Sequence, residues 1–246
     1  MSNAHEARVA VVTGGSGGIG REIVQRLADD GFAVAVHYSG SADRAAEVVA
    51  AVTEANGSAF AVQADVADED AVSEMFDEVT NRYGGVDVVV NTAGIMILSP
   101  LVETSLDTFD RTMRTNVRGT YVISQWAAKN LRDGGALINF SSSVVKLALP
   151  TYSAYAASKG AVEALTLILA KELRGRNVTV NTVAPGPTAT PLFLEGKSDE
   201  QIQHMAEMAP LARLGEPADV ADAVSFLAGP ARWVNGQTIY VNGGVI

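Results

Sequence analysis

The chain contains no cysteine. Disulfides, thiolate nucleophiles and cysteine-ligated metals are therefore excluded. Histidine is almost as scarce. His5, His37 and His204 are the three present, no two stand at metal-ligand spacing, and no metal site is expected. Basic residues are outnumbered, with 18 Lys and Arg against 28 Asp and Glu, a formal net charge of −10. Such a balance argues against nucleic acid or an anionic membrane as the main partner. Long apolar runs are missing too, because Glu, Lys, Asp or Gly interrupts each one before it reaches a membrane span. Met1 to Ala7 is polar and has no apolar signal core, and Ser2-Asn3-Ala4 carries no structural weight. A cytoplasmic protein is the expectation. There is no linker, repeat or low-complexity tract.

What is present is apolar bulk: 246 residues, 48% of them hydrophobic, enough for one sizeable core and a single domain. Short β-branched runs alternate with amphipathic stretches. The runs at 8–13, 33–37, 59–63, 86–90, 135–140, 178–183 and 238–241 read as strands. The stretches at 21–30, 42–56, 68–83, 106–130, 151–174 and 217–228 read as helices, with Asp68 as an N-cap, Gly31 and Gly57 as stops and Pro217 in a first turn. Strict alternation predicts an α/β fold: one Rossmann-type, doubly wound parallel sheet of about seven strands with helices on both faces. Residues 188–212 are the least regular part and are expected to form a lid over one sheet end. Ligands of such sheets bind at the carboxyl ends of the strands. Ser16, Asp65, Asn91, Ser142 and Thr188 all follow a predicted strand.

Two motifs carry chemistry. Tyr155 and Lys159 stand four residues apart, which on a helix places them on one face, one turn apart. A nearby ammonium favours the phenolate and lowers the phenol pKa, so the pair can exchange a proton with a carbonyl or alcohol oxygen. Ser142 offers a neutral hydroxyl to the same oxygen. Tyr-x-x-x-Lys alone is common on solvated helices; its surroundings sharpen it. Nothing in the chain supplies a hydride. The run Gly14-Gly15-Ser16-Gly17-Gly18-Ile19-Gly20, between a strand and a helix, lets backbone approach a pyrophosphate at a helix N-terminus. Five glycines in seven residues exceed what a tight turn needs. At the tip of the second strand no acid is found; Tyr38, Ser39, Ser41 and Arg44 are there instead. An acid would bind a ribose 2′-hydroxyl, whereas Ser and Arg suit a 2′-phosphate, so NADP(H) is the expected cofactor and NAD(H) the alternative. Asp65 suits either an adenine amino group or an N-terminal turn. Asn116 lies inside a predicted helix, where asparagine is unfavourable, so it serves either backbone hydrogen bonding or a water site.

Together these residues resemble the short-chain dehydrogenase/reductase family, classical type. Thr13 to Gly20 is similar to its Thr-Gly-x-x-x-Gly-x-Gly loop. Asn91-Thr92-Ala93-Gly94 is similar to its Asn-Asn-Ala-Gly element, with Thr92 in place of the second Asn. Asn116, Ser142, Tyr155 and Lys159 match its catalytic tetrad in order and spacing, Pro185-Gly186 its Pro-Gly turn, and Asn242-Gly243-Gly244 its last strand end. The resemblance spans the whole chain. It implies that Tyr155 is the general acid for reduction and base for oxidation, that Lys159 binds the nicotinamide ribose and lowers the Tyr155 pKa, that Ser142 orients the substrate, and that Asn116 holds a relay water. It implies cofactor contacts from Gly14, Ser16, Gly18, Ile19, Gly20, Asp65, Val66, Asn91, Ala93, Gly94, Pro185, Gly186, Thr188 and Thr190. A homotetramer packing the helices at 106–130 and 151–174 is implied as well. Within the family the chain is most similar to bacterial carbonyl reductases and 3-oxoacyl-acyl-carrier-protein reductases. The acyl carrier protein is acidic and wants a basic surface, but near Arg132 only Arg174 and Arg176 cluster. A small ketone or aldehyde is thus the expected substrate, in a pocket walled by Ile95, Met96, Val144, Leu149, Tyr152, Leu192 and Phe193. The remaining alternative is a cofactor-binding regulatory module without catalysis.

Overall fold

In the computed structural model, which describes residues 7–246, seven short β-branched segments form one parallel sheet. The elements are β1 (Val9–Thr13), α1 (Gly18–Asp29), β2 (Ala33–Tyr38), α2 (Ala42–Glu54), β3 (Ser58–Gln63), α3 (Glu69–Tyr83) and β4 (Val88–Asn91). They continue with α4 (Leu106–Met113), a π turn (Arg114–Arg118), α5 (Gly119–Asn130), β5 (Ala136–Phe140), α6 (Val144–Leu147) and α7 (Ser153–Glu172). The chain closes with β6 (Thr179–Pro185), α8 (Pro191–Leu194), α9 (Asp199–Glu207), α10 (Pro217–Ala228) and β7 (Thr238–Val241). The strand order is β3-β2-β1-β4-β5-β6-β7. The order reverses between β1 and β4, and that switch point opens a crevice at the strands' carboxyl ends.

The two-residue period of each strand sorts its side chains to opposite faces. Ala10 and Val12 face one way with Val34, Val36, Val88, Val90 and Ile138, packed under Ile23 and Leu27 of α1, Val48 of α2 and Val224 of α10. Val9 and Val11 face the other way with Val89, Leu137 and Val180, packed under Phe76 of α3, Ile123 of α5 and Leu169 of α7. Both faces are covered, as continuous rather than alternating apolar strands require. The expected reading of a doubly wound sheet is met.

Several boundaries differ, each for a physical reason. Asp68 caps α3, its carboxylate accepting from the Asp70 and Ala71 amides at 3.0 Å each. Helix α2, by contrast, ends at Glu54 with Ala55 as its C-cap, and Asn56 rather than the expected Gly57 takes the left-handed conformation after it (φ 63°). Residues 106–130 do not form one continuous α-helix; a π turn interrupts them at Asn116. The expected lid holds two short helices, α8 and α9, and its ends are tied together: Gly215 N–H donates to Pro187 O at 2.9 Å, and Ala189 N–H to Gly215 O at 2.8 Å. The reading of Ser2-Asn3-Ala4 and His5 falls outside the described residues. Among the described residues, no helix is long and apolar enough to cross a membrane.

Candidate active site

Tyr155 lies in the first turn of α7 and Lys159 one turn on, so the helix places both beside the carboxyl end of β5. Lys159 is 5% exposed and its Nζ donates to Phe140 O at 2.8 Å. Burial pushes its pKa down to about 8. Burial also pushes the Tyr155 phenol up to about 12; a hydrogen bond with Ser142 opposes the rise and the neighbouring Tyr152 phenol adds to it. The expected lowering of Tyr155 by Lys159 is therefore not found. The Lys159 ammonium sits 5.6 Å from the Tyr155 ring centroid and is turned toward a backbone carbonyl. Desolvation of the phenolate outweighs attraction at that distance. The phenol is protonated at neutral pH, the state a proton donor needs. Ser142 follows β5, and its hydroxyl accepts from the Val144 amide at 3.3 Å. The preceding Ser141 donates to Glu163 Oε1 at 2.7 Å, which fastens the serine turn to the helix bearing Tyr155 and Lys159.

Asn116 is fully buried in the π turn. Its Oδ1 accepts from Ile95 N–H at 2.9 Å, and its Nδ2 donates to Ile95 O at 2.9 Å and to Ser158 Oγ at 3.0 Å. Ser158 in turn donates to Tyr155 O at 2.7 Å. Both amide protons of Asn116 are spent on protein, so the water-holding role implied by the resemblance is not open to them. The backbone-bonding reading is the one realised. The Asn116 carbonyl accepts from Thr120 Oγ1 at 2.7 Å. Thr120 also accepts from Asn91 Nδ2 at 3.0 Å, and Asn91 Oδ1 accepts from Thr13 Oγ1 at 2.7 Å. A buried polar chain thus joins the root of the glycine loop to α7.

The glycine loop fits a dinucleotide. Gly14 is left-handed (φ +68°), and a Cβ on Gly20 would stand 2.2 Å from Gly14 O, so the loop can fold this tightly only without side chains there. No side chain caps the amides of α1, and its first turn holds no acid. Those amides and the dipole end are left for an anion. Arg44 Nη1 comes within 3.9 Å of where a Gly17 Cβ would be, and Thr190 Cγ2 within 3.6 Å of one on Gly18. The loop therefore lies between the arginine of α2 and the start of the lid. Tyr38 is half-buried and Ser39 and Arg44 are exposed beside it, whereas Ser41 is spent as the N-cap of α2. At the far end, a Cβ on Gly94 would stand 3.2 Å from Asn116 Oδ1 and 3.5 Å from Lys159 Nζ. Ser16, Ala93 and Gly186 follow β1, β4 and β6, and Pro185 ends β6; Ile19 packs against the core, and the buried Thr188 hydroxyl donates to Gly186 O at 2.9 Å.

Other expected cofactor contacts are engaged elsewhere. Asp65 holds Ala67 N–H at 2.9 Å and Arg114 at 2.7 Å, and those bonds lower its pKa against the opposing effect of burial. The turn reading is realised, and the half-exposed carboxylate keeps lone pairs on both oxygens. The Val66 side chain is buried against Gly119, leaving only its backbone. The Asn91 side chain is consumed in the buried chain. The Thr190 hydroxyl accepts from Phe193 N–H at 3.2 Å as the cap of α8. Thr92 donates to Thr13 O, so the departure at that position ties two strand ends. Sequence reasoning missed Thr120, Ser158, Glu163 and His37. The last carries a legible signal: a polar side chain near the tip of an otherwise apolar strand.

Beside Tyr152, whose ring lies 6.4 Å from that of Tyr155, a cavity of about 680 Å³ opens toward the lid. Met96, Leu98, Leu149 and Leu192 form its apolar walls, and Glu195, Lys197 and, on α9, Gln201 and His204 give it a polar side toward the lid segment. Ile95, Val144 and Phe193 are not among its walls; Ile95 is instead bonded to Asn116, and Val144 is core. Of the arginines expected to cluster, Arg132 and Arg176 are spent on protein groups at one corner, as is Arg232, which donates to Gly135 O at 3.1 Å and Asn177 O at 2.8 Å. Arg132 pairs with Asp87, and Arg176 donates to Ala128 O and Leu131 O.

Residues 14–246 match the family model described as enoyl-(acyl carrier protein) reductase. An Arabidopsis thaliana protein named NADPH-dependent aldehyde reductase-like protein, chloroplastic, is 41% identical, covering 97% of this chain and 94% of its own length. A Staphylococcus aureus 3-oxoacyl-[acyl-carrier-protein] reductase is 41% identical, covering 96% and 97%. The structure of a short chain dehydrogenase from Burkholderia cenocepacia in complex with NADP superposes with a TM-score of 0.92 at 39% identity, covering 99% of both chains.

Proposed function

The chain belongs to the classical short-chain dehydrogenase/reductase family, and on that premise we propose that it is an NADP(H)-dependent reductase of a ketone or aldehyde. The observation that carries the reading is the protonated Tyr155 phenol, bonded to Ser142 and set beside the apolar cavity, on the same sheet edge as the glycine loop. Bound in that loop, the reduced nicotinamide supplies the hydride. The chain's own residues do the rest. Ser142 holds the carbonyl oxygen in place. Tyr155 gives its proton to that oxygen as negative charge builds there. The Lys159 ammonium steadies the phenolate left behind, and Asn116 and Ser158 hold the first turn of α7 to the strand ends. The same steps reversed oxidise an alcohol, with Tyr155 as base.

Arg44 beside Gly17, with no acid at the tip of β2, favours the 2′-phosphate, as do the NADPH and NADP named for two of the relatives. The segment 188–212 acts as a lid, hinged where its two ends pair. Apolar walls suit an alkyl or aryl carbonyl. The acyl-carrier-protein substrate is the second reading, favoured by the similarity to the Staphylococcus enzyme and opposed by the chain's net charge of −10. The enzyme is taken to be cytoplasmic and a homotetramer. The test is oxidation of NADPH and NADH, each alone, with aryl ketones, keto esters, aldehydes and an acetoacetyl thioester. Ketone or aldehyde turnover with NADPH is expected. Turnover confined to the thioester would move the substrate to acyl carriers, and cofactor binding with no turnover would mark a regulatory module.

A further inference from the structure

His37 is a buried histidine that the chemistry above does not use. It is the penultimate residue of β2 and 1% exposed, after the apolar run Ala33–Val36. Both ring nitrogens are engaged. Gly14 N–H donates to Nδ1 at 3.0 Å, and Nε2 lies 3.0 Å from Ala64 O. A carbonyl only accepts, so Nε2 carries the proton and Nδ1 the lone pair. The main chain adds a third bond, Gly15 N–H to His37 O at 3.0 Å. One residue thus grips two successive amides at the root of the glycine loop and the carbonyl just before Asp65. These are three separate segments: the loop, the strand tip with Tyr38 and Ser39, and the turn after β3.

We infer that His37 is a positioning residue for the nicotinamide dinucleotide, setting the glycine loop at a fixed distance from the turn at Asp65. This rests on the proposed reductase reading. Gly14 is left-handed and partly buried, with its amide aimed at the buried His37 ring; without that acceptor the donor loses its partner, and the loop must move to satisfy it. The amides at Gly17 and Gly18 follow the root of the loop, so a shift at Gly14 misplaces the anion cradle. Burial also holds the ring neutral: its pKa is pushed below the usual histidine value, against the Ala64 hydrogen bond and the charge of Asp65.

Two variants separate the two ring contacts. His37→Asn keeps an oxygen where Nδ1 stands, so Gly14 retains its acceptor. His37→Gln keeps an amide donor where Nε2 stands, so Ala64 retains its donor while Gly14 loses its acceptor. NADPH dissociation constants by fluorescence titration, and amide hydrogen exchange over residues 13–20, are measured beside steady-state rates. His37→Gln should bind NADPH about tenfold more weakly, exchange faster at Gly14, and keep kcat within about twofold at saturating cofactor. His37→Asn should stay near wild type in both readouts. Equal affinity in all three proteins would overturn the inference, and so would weaker binding with unchanged exchange at Gly14. Loss of protection at Val89 and Leu137 in both variants would make His37 a folding residue and overturn it as well. Wild-type protein that binds NADPH but reduces no carbonyl would overturn the reductase reading and leave this comparison standing. Wild-type protein that binds neither nicotinamide dinucleotide would overturn both.

Discussion

Burial displaces Tyr155 and Lys159 in opposite directions, to about 12 and about 8, because each neutral form is the one that low polarity favours. Both shifts have consequences in pH. Reduction needs a protonated phenol and a charged lysine, so its rate should hold through neutral pH and fall above about 8 as Lys159 loses its proton. Rates measured from pH 6 to 10 check this. The stability effect of Lys159 has a definite sign. Its folded pKa lies below the ordinary 10.5, so between about 8 and 10.5 the unfolded chain binds more protons, and stability from this group rises with pH across that window. At neutral pH the ammonium is held at a cost. Lys159→Met should therefore leave the thermal midpoint unchanged or raised while removing most turnover. Tyr155→Phe should lower turnover about 10²–10⁴-fold with cofactor binding intact; near-normal turnover in that variant would sink the mechanism. Arg44→Ala should weaken NADPH about tenfold and leave NADH nearly untouched, a comparison of two KM values that tests the 2′-phosphate reading.

At the scale of elements, the π turn at Arg114–Arg118 is the feature that regular periodicity hides. It holds the buried Asn116, whose carbonyl accepts from Thr120 Oγ1. Thr120→Val removes that bond and strips Asn91 Nδ2 of one acceptor. The expected cost is about 1–3 kcal/mol of stability by denaturant titration, with a smaller effect on cofactor affinity than on kcat. A cost within error would mean that the buried chain does not set the site. The lid is the opposite case: joined at its two ends and exposed along α8 and α9, it should exchange amide protons faster than β4 and β5 and slow down when cofactor and substrate bind.

For the whole molecule, the outer face of α7 shows Leu167 and Ile168 at 47% and 55% exposure, and Tyr121 of α5 is also exposed. Large apolar groups on the two helices predicted to pair argue for a partner copy there. Ile168→Glu should lower the assembly state measured by light scattering; no change would place the contact elsewhere.

The strands, their parallel pairing, the glycine turn and the shared face of Tyr155 and Lys159 were legible because local rules decide them: β-branched runs, glycine at a tight turn, and a four-residue spacing on one helix. The fates of Asp65, Asn91 and Thr190 were not legible, since a polar side chain after a strand looks the same whether it faces a ligand or protein. Nor was the sign of the Tyr155 shift. It depends on whether Lys159 Nζ meets the phenol four residues away or the Phe140 carbonyl 19 residues away in sequence. Sequence alone determined the fold class and the chemistry available. Tertiary structure decided which polar groups are already spent on one another, because hydrogen-bond partners and desolvation depend on distances that only the packed chain sets.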